Sequence, residues 1–167
     1  MTQTSPHDSD AITGELVERS NRLGADPRNT NYAGGNTSAK GEETDPVTGA
    51  PTELLWVKGS GGDLGTLQPA GLAVLRLDRL RALVDVYPGV QREDEMVAAF
   101  DYCLHGLGGA APSIDTAMHG LVAESHVDHL HPDAGLDPDP VAAYHRSGYF
   151  ERIRTERATG QQAGWGA

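Results

Sequence analysis

Apolar residues come in short bursts, and the spacing inside each burst assigns an element. Ile12, Leu16, Val17 and Leu23 recur at helical spacing, so a helix is predicted from about Ala11 to Leu23. Asp10 is its candidate cap, and Gly24 with Pro27 its stop. Residues 1–9 read as disordered. Leu54–Val57 (LLWV) and Leu72–Leu77 (LAVLRL) are short apolar runs typical of strands. A helix capped by Asp78 is predicted over 79–87, with Pro88-Gly89 ending it. Met96, Ala99, Phe100 and Cys103 share one face of a helix predicted over 93–107. A further helix is predicted over 116–124, followed by an extended segment at 125–131.

Between these bursts lie polar, glycine-bearing stretches. Residues 29–41 read as a loop, 42–51 as turn-forming, and 58–65 as a second glycine loop that directly follows a strand. After Pro132 the pattern loses its periodicity, so residues 135–167 form a divergent tail to a domain spanning 10–134. Short strands alternating with helices imply an α/β or α+β layered fold.

Composition narrows the function. The chain has 167 residues, 38% hydrophobic and 22% charged, which suits one domain with its own core. Its formal charge is −11, and no basic stripe is visible, so neither nucleic acid nor an anionic membrane is an expected partner. No apolar run approaches a membrane span, and the polar N-terminus does not resemble a secretion signal. A lone Cys103 rules out a disulfide framework and suits a reducing, cytoplasmic setting. Only two lysines occur, Lys40 and Lys58, and both stand beside glycine clusters, as if those clusters faced an anion.

Four segments could carry chemistry. Gly34-Gly35-Asn36 with Lys40, and Lys58 through Gly61 with Ser60, could each cradle an anion with backbone amides. The same glycines could equally be ordinary turns. The second segment lacks the order of a Walker A loop and of a dinucleotide-binding fingerprint. His129 and His131 lie two apart on an extended segment and so share a face. They are a candidate metal pair, with Asp128 on the opposite face, or else plain surface histidines. Ser113 and Asp115 precede a helix, where they could cap it or serve as an anion donor and an acid–base group.

The order of these segments resembles the class II aldolase/adducin family: GGNTSAKG, VKGSGGDLGTL, GLAVLRLDRL, APSIDT and HVDHLHPDA. The wording is most similar to the branch in which a rhamnulose-1-phosphate aldolase half precedes a short-chain dehydrogenase half. The resemblance covers roughly residues 11 to 134. It implies a three-layer α/β/α fold with a mostly antiparallel central sheet, incomplete here at the C-terminus. It also implies Zn²⁺ and cleavage of a ketose 1-phosphate to dihydroxyacetone phosphate and, for rhamnulose 1-phosphate, L-lactaldehyde. His129 and His131 match the family's metal-binding pair, and Asp115 matches its acidic residue. Asn36, Ser60, Gly61 and Ser113 match its phosphate-binding positions, and Ile114 stands where many relatives have a second serine. Relatives are commonly homotetramers.

The family's third metal histidine lies well downstream, and here only His145 follows, in a stretch without family texture. The sequence therefore predicts a truncated aldolase domain, either active or a non-catalytic fragment that keeps a phosphate-binding or interaction surface. An epimerase or dehydratase of sugar phosphates would use the same parts.

Overall fold

The computed structural model describes residues 7–30, 34–106 and 109–131. The readings made for residues 1–6, the end of the third helix at 107–108, His145 and the tail at 135–167 lie outside them. Four strands form one antiparallel sheet in the order β3-β2-β1-β4: β1 (Asn36–Thr44), β2 (Pro51–Lys58), β3 (Leu72–Arg76) and β4 (His126–His129). Helix α1 (His7–Gly24) covers one face. Helices α2 (Leu77–Ala82), α3 (Glu93–Ala99) and α4 (Thr116–Leu121), continued by 3-10 turns, build the other side.

The apolar run in β2 exists because this strand is buried on both faces. Leu54 and Trp56 meet Leu16 of α1, Ala39, Leu67 and Leu72. Leu55 and Val57 meet Leu75, Leu77, Leu80, Met96, Phe100 and Ala117. Alternation along a pleated strand sends neighbours to opposite layers, which yields the helix–sheet–helix sandwich.

The sequence reading missed β1. NTSAKGEET carries few strand-favouring residues, and its own pattern reads as loop and turn. Pairing overrides propensity here: Ser38 opposes Val57 on one side and Val127 on the other. The polar side chains at its start, Asn36 to Ser38, are buried, and helix α1 meets this part of the strand. Ser20 Oγ of α1 lies 2.6 Å from Thr37 Oγ1, and Arg19 donates to Ser38 O at 2.7 Å and pairs with Asp128 of β4 at 3.1 Å. The β1–β2 turn is closed by Asp45, whose Oδ1 accepts the amides of Val47 and Thr48 at 2.8 and 3.0 Å.

Other boundaries shift for local reasons. Residues 7–9, read as disordered, begin α1. Helix α2 starts at Leu77, one residue before its expected cap. Asp78 instead sits in the first turn, accepting from Arg79 N and pairing with Arg76. Helix α3 gives way to a 3-10 turn at Phe100, and Leu104 then bridges to Leu75, so the chain turns onto the β3 edge. His105 N and Ala110 N donate to Val74 O and Leu72 O, which covers that edge. No described helix is long and apolar enough to cross a membrane.

Helix α1 ends where Gly24 presses on the turn at residues 64–65. A Cβ at Gly24 would collide with the Gly65 backbone and lie 2.6 Å from the Leu64 carbonyl carbon. The Gly24→Ala protein is expected to lose about 1–3 kcal/mol in urea denaturation, because backbone cannot step aside as a side chain can. Unchanged stability would mean that this contact is not tight.

Candidate functional site

The two glycine segments converge at one end of the sheet. Gly34 and Gly35 lead into β1, and Gly35 has φ +78°. A Cβ there would be 2.8 Å from Leu64 Cδ1 and 3.0 Å from His129 O, so this turn needs glycine for both conformation and space. Thr30 Oγ1 donates to Gly34 O at 2.7 Å, and Thr30 bridges in parallel to His131, which joins the turn to the histidine segment.

The second segment leaves the end of β2. Gly59 N donates to Gly71 O and Ser60 N to Ala111 O, both at 2.9 Å. A Cβ on Gly59 would collide with Ala110 and come within 2.9 Å of Ala111 O. The Gly59 amide thus ties the loop to the residue before β3, and the Ser60 amide docks it against the strip that runs on to Ser113 and Asp115. The Ser60 side chain and Gly61, with φ +80°, remain on the cleft wall.

Between the segments opens a cleft of about 370 Å³, lined by Asn36, Lys58, Ser60, Gly61, Ser113, Ile114, Asp115 and His131 among others. All four expected phosphate-binding residues line it. Asn36 and Ser113 are already joined, Nδ2 donating to Oγ at 2.7 Å. Lys58 is only 3% exposed, and its Nζ donates to Gly59 O at 3.5 Å. Burial pushes its pKa down, opposed by Asp115 and Asp63. Lys40, the other lysine expected beside the glycine turns, lies elsewhere. Its Nζ donates to Val122 O and Glu124 O, each at 2.6 Å, and desolvation together with nearby Arg81 lowers its pKa to about 8.

The rings of His129 and His131 lie 4.7 Å apart between centroids, inclined by 70°. Asp128 turns the other way to Arg19. Asp115 sits at the N-cap position of α4 yet makes no side-chain cap bond. Its Oδ1 lies 3.6 Å from His129 Nδ1, an ion-pair distance beyond hydrogen-bond reach. Burial alone would raise the Asp115 pKa. The contact with His129 and the neighbouring His119 and His131 outweigh that and hold the carboxyl below its usual value.

The pair suits a divalent cation: its rings are adjacent, and His129 Nδ1 is buried with no hydrogen-bond partner. Among the described residues, however, no group of three or more His, Cys, Asp or Glu side chains is placed to hold a metal ion. Two imidazoles are thus what the described chain offers. Other buried polar atoms without partners gather at the same end, including Asn36 Oδ1, Thr116 Oγ1 and His119 Nε2.

His119 escaped the sequence reading. It is fully buried, with Nδ1 2.7 Å from Ser38 Oγ, one helical turn beyond Asp115. The one available signal was the four-residue spacing from Asp115, which puts the two on the same face of one short helix. Asp94 and Val97 of α3, also on the cleft wall, carried no signal beyond helical periodicity.

Residues 15–136 match the Class II Aldolase and Adducin N-terminal domain. The chain belongs to this family. It is 43% identical over 122 residues to an uncharacterized oxidoreductase, YuxG, of Bacillus subtilis (strain 168). That match covers 72% of this chain and only 17% of the relative, so the chain spans about one sixth of that protein's length. The fold is similar to the N-terminal class II aldolase domain of a conserved protein from Thermoplasma acidophilum, with TM-score 0.66 and 29% identity over 86% of this chain and 69% of that one.

Desolvation moves His119 from 6.5 to about 4, opposed by Asp115 and reinforced by His129, Lys40 and Arg19. The folded protein therefore binds fewer protons than the unfolded chain between those pH values. The stability present above pH 6.5 drains away as pH falls toward 4, by on the order of 3 kcal/mol. Urea midpoints taken across this range should fall, and the fall should be shallower in the His119→Asn protein. An identical pH slope in both would exclude His119 as its source.

Proposed function

We propose that this chain is a zinc-dependent class II aldolase domain. It would cleave a ketose 1-phosphate of the rhamnulose 1-phosphate type to dihydroxyacetone phosphate and L-lactaldehyde. The observation that carries this reading is the meeting of three elements at one cleft: an imidazole pair, a carboxylate within 3.6 Å of it, and the two glycine turns. His129 and His131 would hold the cation. When bound, it would supply Lewis-acid stabilisation of the negative charge that carbon–carbon cleavage leaves beside a carbonyl.

The chain's own groups do the rest. Asn36, Ser60, Gly61 and Ser113 bind the phosphate, and the Lys58 ammonium at the cleft wall adds positive charge in a protein of net charge −11. Anchoring that end fixes the ketose along the cleft and makes the reaction effectively unimolecular. Asp115, held ionised, takes a proton from the substrate at its carboxylate and returns it to the carbon fragment. Ile114, 48% exposed and lining the cleft, offers an apolar wall and no hydroxyl.

A second reading is favoured by the two-imidazole donor set. On it, the chain keeps a sugar-phosphate-binding surface without turnover, because two histidines grip zinc more weakly than three. Release of dihydroxyacetone phosphate from rhamnulose 1-phosphate by zinc-loaded protein decides between the two. With turnover, Asp115→Asn is expected to cost about 10²–10⁴-fold in kcat. His129→Ala is expected to remove zinc binding and activity together. Activity that survives both changes would contradict these roles. Phosphate binding without any cleavage would establish the second reading.

A further inference from the structure

Asn36, Ser38 and Lys40 alternate along β1, so they point to the same side of the sheet, toward α4. Each grips a successive point of one segment. Asn36 Nδ2 donates to Ser113 Oγ at 2.7 Å, and Ser38 Oγ meets His119 Nδ1 at 2.7 Å. Lys40 Nζ donates to Val122 O and Glu124 O, while its backbone N donates to Ser125 O at 2.8 Å. Asp115 lies between the first two grips. The same strand pairs on its other edge with β4, where Asn36 opposes His129. One strand thus sets both the carboxylate and the imidazole it faces.

We propose that His119 is a positioning residue for Asp115, its hydrogen bond with Ser38 being the central tooth of this three-point comb. The proposal rests on the reading of Asp115 as the proton carrier. His119 N also donates to Asp115 O at 3.2 Å, so a shift of the ring moves the turn that carries the carboxylate. An apolar residue would fill the same space without leaving a polar atom enclosed. The His119 ring is 0% exposed, with Nε2 buried and unpartnered, a cost that packing alone does not require. Elsewhere α4 is short and packs closely: at Gly120 a Cβ would collide with Leu80 of α2. With so little helix, side-chain grips add to the few backbone bonds that hold its start in place.

The test compares the full chain with its His119→Leu, His119→Asn and Ser38→Ala variants. Amide exchange at Thr116, His119 and Val122 is followed against Trp56 and Val74 in the sheet. Loss of the grip should speed exchange in the first group by about tenfold or more in His119→Leu and leave the sheet amides within about threefold. His119→Asn, which places an amide where Nδ1 lies, should restore protection. Ser38→Ala should reproduce the loss and add nothing to His119→Leu; it also stands in should the leucine variant fail to fold. In cleavage assays kcat should fall with KM held in His119→Leu, and recover in His119→Asn. Wild-type protection in His119→Leu, no rescue by asparagine, or additive effects with Ser38→Ala would overturn the proposal. Wild-type protein without cleavage would refute the aldolase reading alone, since the exchange result still judges the grip.

Discussion

A strand of polar residues lies in the middle of this sheet, and the rest of the site depends on how its side chains are satisfied. Asn36, Thr37 and Ser38 are all essentially buried. Each would be costly there without a partner. Thr37 turns to Ser20 of α1 on one face, while Asn36 and Ser38 turn to Ser113 and His119 on the other. The partners of Asn36 and Ser38 come from 77 and 81 residues away in sequence. Satisfying this strand therefore ties distant segments to its two faces, and the Asn36–Ser113 pair lies on the cleft wall.

The glycines divide between architecture and ligand-facing roles. Gly59 is required because Ala110 and Ala111 pack against it, and its amide is spent on Gly71. Gly61 has no such neighbour, and its left-handed backbone faces the cleft. A phosphate would meet the Gly61 end of that turn, together with the side chains of Ser60, Ser113, Asn36 and Lys58. On the proposed reading, an anion would be met more by side chains than by a nest of free amides. In an acidic protein, one buried lysine at the cleft wall is an economical source of positive charge.

Elements whose stability is local, or whose burial is two-sided, could be read directly from the sequence. The α1 stripe at Ile12, Leu16 and Val17 and the apolar run at Leu54–Val57 are examples. So was the shared face of His129 and His131, which follows from strand geometry once the segment is extended. The strand β1 could not be read, because its identity comes from pairing on both edges rather than from its own residues. The separate destinations of Lys40 and Lys58 were hidden for the same reason. Both stand next to glycine, but alternation sends Lys40 toward the carbonyls after α4, whereas Lys58 ends β2 at the cleft. His119 carried only a spacing from Asp115, and its meaning appears once Ser38 is known to lie opposite.

On the proposed reading the histidines take two different tasks: His129 and His131 as cation ligands, His119 as scaffold. Imidazole ¹⁵N spectra recorded through a Zn²⁺ titration test that division most directly. The signals of His129 and His131 should change together and reach completion at one zinc per chain, while those of His119 stay fixed. Independent changes in the two rings, or a His119 signal that moves with the metal, would contradict the account.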